Sequence, residues 1–220
     1  MPSHQDFLDL ITNDVPKDFY EYIPNNIPVP IFFDIEIYKD SSPYFNTPEQ
    51  FLNNLFDKLH NLFGSKISKL VLESHSDTKM SYHVVIQLLT DDNKYLLCKN
   101  VKDLKVLHKQ LNLDTFKDSN NKYLIDPSVY REGLFRTMYS SKIDENRPLI
   151  KSHLSDDFED IYSFITYYST LEHELLDITK IPVTPPTDLN DNDKNIINDF
   201  IASQYHHFPN KIRDIFIDTE

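Results

Sequence analysis

The sequence predicts an α+β fold: a mixed core over residues 1–150, then a helical acidic region over 151–220. Three observations carry this. Segments of alternating apolar residues and segments of helical apolar spacing follow one another without a strict βαβ rhythm. Apolar residues make up 40 % of the 220 and charged residues 26 %, enough to bury one sizeable core. A Pro-rich stretch, IPVTPPT at 181–187, then punctuates the acidic C-terminal third as a linker.

In chain order, residues 1–30 read as irregular, with a short helix around Gln5 to Thr12. The prolines at 16, 24, 28 and 30 block longer helices. VPIFFDIEIY, 29–38, is rich in β-branched and aromatic residues and reads as a strand. After a polar loop, Thr47 is placed as an N-cap, with Pro48 at the first helical position and Gln50 at the third. Phe51, Leu52, Leu55, Phe56, Leu59, Leu62 and Phe63 then recur at helical spacing until Gly64. Strands are expected at 68–76 and 80–89, and a short one in KYLLCKN. A helix follows over 101–112, where Val101, Leu104, Leu107 and Leu111 share a face. GLFRTMYSS, 133–141, reads as a strand. Asp156 to about Lys180 reads as a helix with acidic residues in its first turn, and Asp191 to Tyr205 as a final helix.

The formal net charge of −13 argues against a protein that coats nucleic acid electrostatically. The charge is uneven, however. Residues 152–220 hold 14 acidic and 4 basic residues, leaving the first 151 nearly balanced and free to carry a local basic site. No 18-residue apolar run is present, so no membrane association is expected. MPSHQDFLDL has neither the basic nor the apolar region of a secretory signal. Cys98 is the single cysteine, which excludes an internal disulfide and a Cys-based zinc knuckle. These features suit a reducing, intracellular compartment. No G-x-x-x-x-G-K-[ST] occurs, so these residues hold no helicase motor.

Three segments combine apolar character with charge. In FFDIEIY, Asp34 and Glu36 project from one strand face while Phe33, Ile35 and Ile37 take the other. Two carboxylates so placed suit a shared divalent ion, but the pair by itself is more often the wet face of a half-buried strand, where acidic residues are common. In KMSYHVVI, Lys79, Ser81 and His83 share a face: a cation, a hydroxyl and an imidazole, the components of a triphosphate clasp or of a polar face with no further role. In LIDPSVYREGLFRTMYSSK, an apolar pair delivers Asp126, and Arg131, Arg136 and Lys142 follow within sixteen residues. The interleaved Tyr130, Phe135 and Tyr139 mark this segment as packed rather than solvated.

Together and in this order, the three segments resemble the archaeo-eukaryotic primase superfamily, specifically the PrimPol-like and large-DNA-virus primases of the primase-helicase type. Those proteins carry an apolar-D-x-D/E strand, a K-x-S-x-H strand, and an apolar-D followed by VY, arginine and SSK. The resemblance covers residues 29–145. It implies a primase catalytic core of mixed sheets with an RRM-like half. It implies that Asp34, Glu36 and Asp126 are catalytic and ligate two Mg²⁺ or Mn²⁺ ions. Lys79, Ser81, His83, Arg136 and Lys142 would bind the incoming nucleotide, and Arg131, less firmly matched, template or phosphate. The implied activity is DNA-directed nucleotidyl transfer: making or extending primers on a single-stranded DNA template from NTPs or dNTPs. A replicative helicase, fused or separate, is the implied partner. A replication site in the nucleus or cytoplasm of a host cell is the implied location. The zinc module of many members is not expected here. Two other readings of the same residues stay open: a metal-dependent nuclease, and a non-catalytic replication subunit.

Overall fold

The computed structural model describes residues 3–13, 18–64, 66–143 and 145–183. The chain divides into two compact units, Met1–Pro185 and Pro186–Glu220. The second unit lies outside the described residues, and with it the expected final helix and the end of the Pro-rich linker.

The first unit is mixed α and β with antiparallel sheets. Among the described residues it holds three α-helices: α1 (His4–Asn13), α2 (Pro48–Phe63) and α3 (Val101–Gln110). Its strands are β1 (Tyr20–Ile23), β2 (Ile31–Tyr38), β3 (Ile67–Glu73), β4 (Lys79–Leu88), β5 (Tyr95–Leu97), β6 (Gly133–Arg136), β7 (Ile150–Lys151) and β8 (His173–Leu175). The main sheet is antiparallel in the order β2-β4-β3-β7. A two-stranded antiparallel ribbon, β1 with β6, and a parallel pair, β5 with β8, complete the strands. No described helix is long and apolar enough to cross a membrane.

The core follows the expected periodicities. In β2, Phe33, Ile35 and Ile37 are buried while Asp34, Glu36 and Tyr38 are half-buried. α2 buries Phe51, Leu52, Leu55 and Leu59, and α3 buries Val101, Leu104 and Leu107. These side chains join Leu70, Val71, Val84, Val85 and Ile86 of the central strands in one continuous cluster. Burying each large aliphatic or aromatic side chain contributes about 1.5–3 kcal/mol, so this cluster, which draws on both faces of the sheet, anchors the fold.

Several expectations are corrected. Thr47 makes no side-chain cap to α2; the entry rests on Pro48, and Gly64 ends the helix at φ +80°. α3 instead has a true cap, with Asn100 accepting from the amides of Lys102 and Asp103. Tyr20–Ile23, expected to be irregular, forms β1. The expected strand over 133–141 stops at Arg136, because the chain turns and Tyr139 takes a left-handed φ of +62°. The helix expected over 156–180 does not form. Short 3-10 turns at Asp160–Ser163, Thr166–Thr170 and Ile178–Lys180 take its place, with β8 between them. β-branched and aromatic residues dominate DIYSFITYYST, and they lose side-chain freedom in a helix. Tertiary partners also claim its backbone: the Glu21 carboxylate of β1 accepts the amides of Ile165, at 2.8 Å, and Thr166, at 3.0 Å.

Candidate functional site

Register builds the site. In the β2–β4 pair, Asp34 lies opposite His83, Glu36 opposite Ser81, and Tyr38 opposite Lys79. Directly opposed residues share a face, so two triads separate in sequence become one polar stripe. The free edge of β2 then recruits the third segment. Ile125 bridges Ile35, the Glu36 amide donates to the Leu124 carbonyl at 2.9 Å, and the Asp126 amide donates to the Asp34 carbonyl at 2.8 Å. Asp126 thereby flanks Asp34, some ninety positions away in sequence. Its carboxylate accepts from the amide and hydroxyl of Ser128, both at 2.8 Å, capping the 3-10 turn Pro127–Val129.

The two carboxylates of β2 live in opposite environments. Asp34 keeps 22 % of its side chain exposed. Burial, then the negative charges of Glu36 and Asp126, push its carboxyl up to about 7. Burial would raise Glu36 as well, but hydrogen bonds from Lys79 and Tyr38 and the charges of Lys79 and Lys122 hold it down at about 2. Its carboxylate meets the ammonium groups of Lys79 at 2.7 Å, Lys122 at 3.4 Å and Lys142 at 4.0 Å.

His83 is buried and stacks on Phe135, ring centroids 4.3 Å apart. Its Nε2 stands 3.6 Å from an Asp34 oxygen. Burial, then the cations Arg136 and Lys142, press the imidazole down to about 3, so it is neutral at physiological pH. Arg136 of β6 is only 7 % exposed. Its Nε and Nη1 have no hydrogen-bond partner among the described residues, and neither has Nδ1 of His83. Burial lowers the guanidinium's ordinary value, and Asp34 is among the anions that support its charge. Buried donors left unpaired cost stability, so the Nε–H and Nη1–H of Arg136, held in this stripe, suit an anionic ligand.

The structure thus brings Asp34, Glu36, Asp126, Lys79, Ser81, His83, Arg136 and Lys142 together along the β2–β4 polar stripe. Arg131 stands apart: it is exposed and lines a separate cleft of about 190 Å³ with Ser128, Glu132 and Leu134. Sequence reasoning missed Lys122, Phe135 and the role of Tyr38. Tyr38 continues the two-residue period of Asp34 and Glu36, a signal that was present; Lys122 carried none.

Asp34, Glu36 and Asp126 offer only hard carboxylate oxygens, which suit Mg²⁺ or Mn²⁺ in kind. They lie close enough for Glu36 and Asp126 to raise Asp34, a repulsion that a cation relieves. As they stand, however, no three His, Cys, Asp or Glu side chains among the described residues form a ready metal centre. Lysines and Tyr38 occupy Glu36, and Ser128 occupies Asp126. The fit therefore requires Glu36 to release its lysines. Cys98 is buried, with its thiol pushed up to about 12 by burial and then by Asp103.

No protein-family model matches the chain, and no curated protein gives a significant match.

Proposed function

We propose that the chain is a template-dependent nucleotidyltransferase with a primase-type catalytic core, which makes or extends primers on single-stranded DNA. One observation carries the reading: a buried Arg136, whose Nε and Nη1 have no hydrogen-bond partner among the described residues, and a neutral His83 stand beside a carboxylate that burial and its acidic neighbours push up to about 7. Phosphate-binding donors adjoin carboxylates in need of a counter-cation, the juxtaposition that metal-assisted phosphoryl transfer uses.

In this reading Asp34, Glu36 and Asp126 hold divalent ions. Bound there, such ions supply Lewis-acid activation of a primer 3′-hydroxyl and charge neutralisation at the leaving pyrophosphate. The protein's own groups do the rest. Arg136 offers Nε–H and Nη1–H to phosphate oxygens at no cost in broken contacts. His83, neutral, donates one N–H, and its stacking on Phe135 fixes the ring plane. Lys79, opposite Tyr38 on β4, exchanges Glu36 for the triphosphate, which frees the carboxylate for a metal. Lys142, 46 % exposed, follows the same exchange. Ser81, opposite Glu36, adds a hydroxyl at the centre of the stripe. This clasp favours transferase over nuclease, because hydrolysis has no triphosphate to hold. Template, primer and nucleoside triphosphates are the implied partners. A replicative helicase and an intracellular replication site belong to the same proposal.

The test is a gel assay with single-stranded DNA, primed and unprimed, labelled NTPs or dNTPs, and Mg²⁺ or Mn²⁺. Labelled products that vanish with Asp34→Ala are expected. Degraded template in place of products would move the reading to a nuclease. No product from a protein that also fails to bind nucleotide would overturn the catalytic reading.

A further inference from the structure

A third lysine converges on the stripe from a segment outside the motifs. The turn Asp118–Lys122 is closed by Asp118, whose Oδ1 accepts the amides of Asn120 and Lys122, both at 2.9 Å. Asn121 takes the left-handed φ of +61° that the turn requires. The turn delivers the Lys122 ammonium 3.9 Å from the Tyr38 ring centroid, hydrogen-bonded to the Tyr38 hydroxyl and 3.4 Å from Glu36. Lys79 sits over the same ring at 5.6 Å.

Three ammonium groups thus share one carboxylate, in a chain whose formal net charge is −13. Coulomb attraction to Glu36 accounts for one of them. The Lys122 side chain is 53 % exposed, against 14 % for Lys79, so it is free to swing without disturbing the core. Beside it opens a cleft of about 270 Å³ lined by Lys122, Tyr38, Ser41 and Asn120 together with two carboxylates, Asp40 and an Asp118 already engaged by Ser41 and by the amides of its own turn.

We propose that Lys122 is a further phosphate-binding residue, which leaves Glu36 for a phosphate oxyanion lying over Tyr38 at the end of the stripe opposite Arg136. This rests on the nucleotidyltransferase reading and extends it: the ligand spans the stripe from Arg136 to Lys122. The oxyanion belongs either to the nucleoside triphosphate or to the nucleic-acid backbone, and both offer the same chemistry to an ammonium group.

Two titrations separate the sources. Wild type, Lys122→Met, Lys122→Glu and Lys122→Arg are titrated with dATP in Mg²⁺-containing buffer, and in parallel, under the same conditions, with a fluorescein-labelled primed single strand. Thermal melts verify folding, which an exposed lysine substitution leaves intact. About tenfold weaker binding of one ligand by Lys122→Met is expected, with a larger loss for Lys122→Glu and little for Lys122→Arg. Loss confined to dATP assigns the triphosphate, and loss confined to the primed strand assigns the backbone. Ligands bound equally by wild type and Lys122→Met overturn the role of Lys122 and leave the transferase reading standing. A wild type that binds neither ligand overturns both.

Discussion

At the scale of single residues, Arg136 is held where a folded protein gains nothing from it. Its guanidinium is buried, its Nε and Nη1 lack partners among the described residues, and its burial is paid by the rest of the core. Function and stability should therefore separate at this position. Arg136→Met keeps the aliphatic packing and removes the desolvated charge. We expect its melting temperature to equal or exceed that of the wild type, while nucleotide affinity falls by tenfold or more in a binding titration. A large loss of stability with affinity unchanged would make Arg136 a structural residue. The same logic explains why Lys79 and Lys122 rest on Glu36: without a phosphate, the nearest anion is the carboxylate of β2.

At the scale of elements, the segment after Ser155 is held by β1 rather than by its own helical bonds. Glu21 accepts from the Ile165 and Thr166 amides and the Thr166 hydroxyl. Burial raises its carboxyl to about 7, the three hydrogen bonds opposing. A raised carboxyl binds its proton more tightly folded than unfolded, so this group's contribution to stability falls as pH rises from about 4.5 to 7. Denaturant melts of wild type and Glu21→Gln across that range should diverge, the wild type losing up to about 3 kcal/mol more than the variant. Parallel curves would contradict the assignment. In α2, Leu59 is fully buried at the helix face that meets the sheet cluster. Leu59→Ala should cost about 2–5 kcal/mol in urea unfolding; a loss below 1 kcal/mol would mean that the helix repacks freely.

At the scale of the whole molecule, a strongly acidic chain gathers Lys79, Lys122, Lys142 and Arg136 around the three carboxylates of one stripe, the recess of positive charge that a polyanion would meet. Long-range repulsion and local attraction then act together on a polyanion. Single-stranded DNA binding is expected to be weak at physiological salt and to steepen at low salt. Three or four lysine and arginine contacts give a slope of log K against log salt of about −2 to −3. A slope near zero would mean that DNA is not held by this recess. The acidic residues of 152–183 lie in the same compact unit as the recess, so their charge sets the background against which the cations work.

The periodicities of the sequence determined much by themselves. The two-residue alternation in FFDIEIY and KMSYHVVI assigned Asp34 with Glu36, and Lys79 with Ser81 and His83, to common faces. The helical spacing of 51–63 and 101–111 located α2 and α3 almost to the residue, because burial of one face dominates the choice of element. Only the tertiary structure decided which faces meet. The register of β2 against β4, and the docking of Leu124–Asp126 on the free edge of β2, depend on contacts far apart in sequence, where local pattern is silent. The same holds for Lys122, placed by a turn that looks like any polar loop. It holds also for the segment 156–180, whose acidic first turn reads as a helix start. Its aromatic side chains and the Glu21 carboxylate drew it into 3-10 turns and a strand, since tertiary burial outweighs a few tenths of a kcal/mol per residue of helix propensity.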